Sequence, residues 1–256
     1  MDYGFIGTGT ITEAIIVGAL SSDLPIGRIV VSPRNAEIAA RLAARFSQVE
    51  VAVSNQAVVD AAEILVLAIR PQVAEEVLRQ LSIAKTQHVI SLIAATSHEK
   101  LAGWTGLAAG NFTRAIPLPF VAFREGVTAI YPPDARTEQL FAALGTAVPC
   151  SSKEEFDLLA ALTALMGPYF GLLERTSDWL ASKGMAEAKA RNYLTPLFAG
   201  LAHVASRAPA SSYATLRAEF STKGGLNEQV FQDFDSGGGT AALIQALDRV
   251  LERIKS

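Results

Sequence analysis

Tyr3-Gly4-Phe5-Ile6-Gly7-Thr8-Gly9-Thr10-Ile11-Thr12 is the stretch that decides the fold. Tyr3–Ile6 reads as a short strand and Thr12–Leu20 as a helix, with a glycine turn between them. A dinucleotide pyrophosphate makes two demands of such a turn. Gly7 permits the tight bend, and the missing side chain at Gly9 lets backbone N–H groups of Thr10 and Ile11 reach phosphate at the helix N-terminus. The third position of the fingerprint, usually Gly or Ala, is Thr12; it packs helix against strand and makes no phosphate contact. Thr8 and Thr10 offer hydroxyls to the same phosphates.

The next strand, Arg28–Ser32, chooses between cofactors. An NAD site places Asp or Glu at its end to take the ribose hydroxyls. Here the chain reads Val30-Val31-Ser32-Pro33-Arg34-Asn35, so Ser32, Arg34 and Asn35 are candidates for a 2′-phosphate, with Arg34 supplying the charge. NADP(H) is therefore expected over NAD(H). Farther along, helix 36–46, strand 50–53, the wholly apolar strand Ile64–Ile69, helix 73–81, strand 88–93 and a short helix 97–103 continue the alternation. Strands 111–115 and 126–131 and helix 136–144 complete it. Repeated βα units of this length predict an α/β, Rossmann-like, doubly wound sheet. Ligands lie at the carboxyl ends of such strands, which puts Ile69, Arg70 and Pro71 beside the cofactor.

Past Pro149 no strand pattern is found. Lys153–Ser182 and Glu187–Arg207 are long, alanine-rich and apolar at helical spacing, with Pro168 and Pro196 as points of kinking. Two domains are expected: a dinucleotide-binding domain over 1–150 and an all-helical domain over 151–256.

Composition bounds what such a chain does. Of 256 residues 50% are hydrophobic and 18% charged, with a net charge of -3, which gives no electrostatic case for nucleic acid. A single cysteine, Cys150, and three scattered histidines make no metal set. No apolar stretch is expected to reach the ~20 residues a membrane helix needs, and Met1–Gly7 lacks the pattern of a signal peptide. A cytoplasmic protein with a small-molecule substrate, and neither membrane nor nucleic acid as partner, is the expectation.

Further motifs sharpen it. Ala14-Ile15 and Gly18, Ile69-Arg70-Pro71-Gln72, Ile90-Ser91-Leu92-Ile93-Ala94-Ala95, Arg114-Ala115-Ile116-Pro117 and Glu125-Gly126-Val127-Thr128-Ala129, taken with the glycine turn, resemble the pyrroline-5-carboxylate reductase family. The resemblance runs on through Asp157, Gly167-Pro168 and Gly224-Gly225. It implies reduction of a cyclic imine to proline by NAD(P)H. It also implies a homodimer, or a higher homo-oligomer, interlocked through the helical domains. The substrate half departs from the family pattern: Met-Pro-Asn-Thr-Pro becomes Ile116-Pro117-Leu118-Pro119-Phe120, and Ser-Pro-Gly-Gly-Thr-Thr becomes Thr222-Lys223-Gly224-Gly225-Leu226-Asn227. Thr163, Thr222 and Asn227 are the catalytic candidates, and Tyr169, Gly224 and Gly225 the substrate-binding ones. The changed loop keeps two alternatives open: a diverged reductase of another imine or carbonyl compound, and a non-catalytic NADP-binding protein.

Overall fold

The computed structural model describes residues 1–255. The chain divides into two compact units, Met1–Ala160 and Ala161–Ile254. The first unit opens with β1 (Tyr3–Ile6), α1 (Thr10–Leu20), β2 (Ile29–Val31), α2 (Ala36–Arg45), β3 (Val49–Val51), α3 (Asn55–Ala61) and β4 (Ile64–Leu67). It continues through α4 (Pro71–Leu78), β5 (His88–Ser91), α5 (His98–Thr105), β6 (Phe112–Pro117), β7 (Gly126–Tyr131), α6 (Ala135–Ala142) and β8 (Gly145–Pro149). The strands form one sheet in the order β3-β2-β1-β4-β5-β6-β7-β8.

Alternation along each central strand explains why these strands are apolar throughout. Phe5 and Val66 enter one buried layer with Ile15, Ile16 and Leu42, under α1 and α2. Ile6, Leu65 and Leu67 enter the opposite layer with Val58, Leu78 and Leu101, under α3, α4 and α5. A period of two sends neighbours to opposite faces, and helices cover both. The doubly wound expectation holds over β1–β6. β7 instead runs antiparallel to β6, because the chain returns through the 3-10 turn Pro119–Phe123, far too short for a crossover back to a parallel strand. β8 rejoins β7 in parallel after α6. Neither α3 nor β8 is anticipated by the sequence pattern; α3 starts at a Ser54 cap whose Oγ accepts the Ala57 N–H at 3.1 Å.

After β8, α7 (Lys153–Leu162) begins. The sheet gives way to helix near residue 150, yet the first compact unit extends to Ala160. Phe156 and Asp157 of α7 are buried in it, and the Arg114 guanidinium of β6 sits 4.5 Å above the Phe156 ring. A 3-10 turn (Thr163–Leu165) leads into α8 (Met166–Ser182). That break falls where Pro168 removes a donor and crowds the carbonyl four residues back. The second unit also contains α9 (Glu187–Arg207), α10 (Tyr213–Glu219), α11 (Leu226–Ser236) and α12 (Gly239–Lys255). Pro196 lies inside α9 without interrupting it.

One expectation needs correcting. The helical run Lys153–Ser182 is long and apolar enough to cross a membrane by length and composition, with a mean hydropathy of 1.5 over its best window. No charge interrupts it between Asp157 and Glu174, so the expectation that no apolar stretch reaches that length does not hold.

Two histidines set an acid limit on the first unit. Burial pushes both His88 and His98 below the usual imidazole range; the Arg114 charge adds to this at His98, against Glu99, while Asp134 opposes it at His88. Folded rings therefore stay neutral at pH values where the unfolded chain, titrating near about 6.5, already takes up protons. Stability is fully present above pH ~6.5 and falls as pH drops through it. Urea midpoints should decline between pH 8 and pH 5.5, above the range where carboxylates titrate, and His98→Gln should flatten that decline. A flat profile in the parent protein would contradict the burial argument.

Candidate active site

The glycine turn is built by two glycines with different duties. Gly7 has φ +101°, and a Cβ placed on it would lie 2.3 Å from the Ala68 carbonyl oxygen. This is the close approach of β1 to the end of β4. Gly9 is the N-cap of α1, with extended φ and no side-chain cap. A Cβ on Gly9 would meet nothing within 4 Å. The space over Gly9, faced by the uncapped N–H groups of the first helical turn, is what a pyrophosphate requires. The strand order 3-2-1-4-5-6 also reverses direction between β1 and β4, the place where open α/β sheets bind dinucleotides. The residues present therefore fit a nicotinamide dinucleotide.

Hydroxyls brace the turn. Thr12, buried, donates to the Gly7 carbonyl at 2.6 Å, which explains how a threonine replaces the usual small residue. Thr8 donates to the Ser32 carbonyl at 2.6 Å, and Ser32 Oγ accepts the Gly7 N–H at 2.9 Å. Thr10 is exposed at the first position of α1 and Ile11 is half-buried.

Directly beyond β2, over residues 32–36, the chain offers a cation and no carboxylate. Arg34 is exposed and, among the described residues, takes no hydrogen bond or ion pair. Arg41, the next arginine on α2, is instead held by Glu13 through two contacts of 2.9 Å. Asn35 caps α2, its side-chain oxygen accepting the Ile38 N–H at 3.3 Å. Ile69, Arg70 and Pro71 follow β4; Arg70 is the extended N-cap of α4 and Pro71 its first residue, where a missing N–H costs nothing. After β5, Ala95 adopts φ +50°, a strained conformation for a residue with a Cβ, at the same sheet edge.

A buried charge cluster escaped the sequence reading. Arg114 and Asp157 are both buried, and Asp157 pairs with Lys153 one turn away. A charged residue inside the apolar run Phe112–Ile116 was the available signal. It fastens α7 to the sheet through the Arg114 guanidinium over the Phe156 ring.

The substrate-side candidates all belong to the second unit. Thr163 lies in the 3-10 turn before α8, and Tyr169 stacks edge-on against Phe170 and Phe198 at 5.1 and 5.9 Å. Thr222–Asn227 precedes α11, with Gly224 at φ +72°. Three donors in that loop already have partners: the Gly224 N–H donates to Glu228 at 2.6 Å, the Gly225 N–H to the Thr222 carbonyl at 2.7 Å and the Asn227 amide to the Phe220 carbonyl at 2.7 Å. Tyr169 thus belongs to the α8–α9 pair and the loop to α11. The cofactor candidates, by contrast, converge on one edge of the first unit's sheet.

Two family models match the chain in separate stretches. Residues 2–95 match the family described as NADP oxidoreductase coenzyme F420-dependent, and residues 153–256 match pyrroline-5-carboxylate reductase dimerisation. Pyrroline-5-carboxylate reductase of Haemophilus influenzae is 28% identical, covering 97% of this chain and 94% of its own. That of Pseudomonas aeruginosa is 26% identical over the same shares. The solved enzyme of Streptococcus pyogenes is 25% identical with a TM-score of 0.84, covering 100% of this chain and 98% of its own. The Plasmodium falciparum structure with NADP bound, 16% identical with a TM-score of 0.83, shares the fold. With a dinucleotide turn in front, a matching dimerisation domain behind and relatives of like length throughout, this nicotinamide-dependent reductase belongs to the pyrroline-5-carboxylate reductase family.

Proposed function

We propose that the protein reduces 1-pyrroline-5-carboxylate to proline with NADPH, in the cytoplasm, as a homodimer or higher homo-oligomer. The observation that carries the reading is the pairing of both halves in one chain: an open phosphate turn at Gly9, and a dimerisation domain over 153–256. Likeness over the full length favours this activity over reduction of another imine or carbonyl compound, and over cofactor binding without catalysis.

The bound cofactor supplies the hydride, so the protein's task is to bind, orient and exclude water. In our reading Gly9, Thr10 and Ile11 present backbone N–H groups to the pyrophosphate, while Gly7, its own N–H held by Ser32, gives the turn its shape. Arg34, with Asn35 beside it, takes the 2′-phosphate, and Ile69, Arg70 and Pro71 line the strand edge along which the cofactor lies. We assign domain 151–256 to dimerisation and substrate binding. Thr163, Thr222 and the side-chain oxygen of Asn227, whose amide nitrogen is held by the Phe220 carbonyl, provide polar contacts to the reacting imine, and Tyr169, Gly224 and Gly225 shape the substrate site. A cyclic imine is basic enough to arrive protonated, so no strong general acid is required of these residues.

Oxidation of NADPH on adding 1-pyrroline-5-carboxylate, with proline as product, tests the activity; no oxidation at any pH between 6 and 9 overturns it. Arg34→Ala tests the cofactor. Loss of a charge-assisted contact worth about 1.5–3 kcal/mol should raise the NADPH KM at least about tenfold. The NADH KM should stay within about twofold, because NADH carries no 2′-phosphate. Equal effects on both cofactors would remove Arg34 from the 2′-phosphate.

A further inference from the structure

We propose that Ser32 and Thr8 are positioning residues that lock the phosphate turn and are not ligands of the cofactor. The inference rests on reading this turn as a nicotinamide dinucleotide site. Ser32 directly follows β2 and is 1% exposed; Thr8 is 3% exposed. The Ser32 backbone N–H donates to the Phe5 carbonyl at 3.0 Å, continuing the ladder between β1 and β2. Its carbonyl accepts the Thr8 hydroxyl at 2.6 Å, and its Oγ accepts the Gly7 N–H at 2.9 Å. The two hydroxyl oxygens lie 3.1 Å apart. Since the Thr8 hydrogen is committed to the carbonyl, the Ser32 hydroxyl is the donor across that gap. Phosphate recognition needs donors, and the Ser32 hydroxyl and backbone N–H are both already committed.

What the pair does instead follows from Gly7. Ser32 holds the Gly7 N–H, and Thr12 donates to the Gly7 carbonyl at 2.6 Å. A residue at φ +101° is thereby fixed from both of its polar groups. The peptides that follow, at Gly9 and Thr10, keep their orientation toward the pyrophosphate before the cofactor arrives. The pyrophosphate is common to NADPH and NADH, whereas a 2′-phosphate belongs to NADPH alone. A brace and a ligand therefore leave different signatures.

The experiment is a titration of the full-length protein with NADPH and with NADH, followed by cofactor fluorescence, for the parent, Ser32→Ala, Thr8→Val and Arg34→Ala. Thr8→Val is isosteric and removes only the hydroxyl, so it decides the matter even where Ser32→Ala folds poorly. Both brace variants should weaken NADPH and NADH alike, by about tenfold, for loss of a buried hydrogen-bond partner. Their NADPH-to-NADH ratio should match the parent's, while Arg34→Ala changes that ratio. Selective loss of NADPH in Thr8→Val or Ser32→Ala overturns the brace and makes the residue a 2′-phosphate ligand. Unchanged dissociation constants, with or without a lower melting temperature, overturn it as well. A parent protein that binds neither cofactor refutes the dinucleotide reading itself, a result distinct from failure of the brace.

Discussion

Gly9→Ala should fold and melt like the parent protein yet lose most of its cofactor affinity, while Gly7→Ala should scarcely fold. The two positions are two residues apart in one turn, and their surroundings differ completely. A Cβ on Gly7 would lie 2.3 Å from the oxygen and 2.6 Å from the carbon of the Ala68 carbonyl. Both are backbone atoms at the end of a central strand and have no room to yield. Alanine also disfavours φ +101°, so steric overlap and backbone strain add. Together they should cost on the order of 3–5 kcal/mol, at the severe end of single substitutions. Gly9 has φ -104° with ψ -171°, conformations open to any residue, and nothing within 4 Å of its added Cβ. Stability should change by no more than about 1 kcal/mol, with a slight gain from the stiffer unfolded chain. The added methyl, however, occupies the space through which phosphate reaches the first N–H groups of α1. We expect NADPH and NADH dissociation constants to rise on the order of 30- to 100-fold, about 2–3 kcal/mol. Calorimetric melting and cofactor titration of the two variants separate the effects. Parent-like affinity in Gly9→Ala would show that the pyrophosphate does not sit on this turn.

These glycines also show why the cofactor half of the site was legible in the sequence. Gly7, Gly9 and Pro71 act through backbone shape, and backbone shape leaves a residue-type signature at a fixed spacing. β1 and β7 begin and end where the apolar patterns do, and α9 spans the expected Glu187–Arg207. Features that depend on partners far along the chain left no such mark. Ser32 looks like a phosphate ligand in sequence, and only folding brings its hydroxyl to Gly7, which lies 25 residues earlier. The antiparallel return of β7 follows from the short connection at Pro119–Phe123, while the pattern of alternating βα units implied parallel strands throughout. α3 was hidden because Asn55–Ala61 is too short to display a helical period beside the strands that flank it. On the substrate side, the loop before α11 keeps its glycines, but Glu228 and the Phe220 carbonyl occupy its donors. Residue types alone do not disclose which hydrogen bonds a loop has already made.

Dilution should lower the melting temperature of this protein, and Leu197→Asp should convert an oligomer into a poorly folded monomer. The reason is the composition of the second unit's surface. Among the described residues, the three buried apolar clusters lie wholly within the first unit. Within α8–α12 only Ala190 and Leu194 are fully buried hydrophobic residues. Phe170, Trp179, Tyr193 and Leu197 stand 61%, 59%, 68% and 43% exposed, and Leu201, Phe220, Val230 and Phe234 are exposed as well. A cleft of about 450 Å³ between α8 and α9, lined by Tyr169, Phe170, Leu173 and Leu194, adds to this uncovered area. A lone chain would leave far more contiguous apolar surface in water than monomers tolerate. Residues 153–256 match a dimerisation domain, and the homo-oligomer proposed above would cover this surface with a second copy, the same face meeting its like by two-fold symmetry. At about 25 cal/mol per Å², burying some 2,000 Å² of such surface yields tens of kcal/mol before the entropic cost of association. Folding of the helical unit is then coupled to assembly, and stability depends on protein concentration. A carboxylate at position 197 would be buried without a counter-charge, at a cost of several kcal/mol. Light scattering should show twice the chain mass, or a larger multiple, for the parent and a shift to monomer or aggregate for Leu197→Asp. Surface residues outside this face, such as Glu75→Ala, should leave the assembly intact. A parent chain that stays monomeric and melts at a concentration-independent temperature would require the exposed face to be stable in water, against everything its chemistry implies.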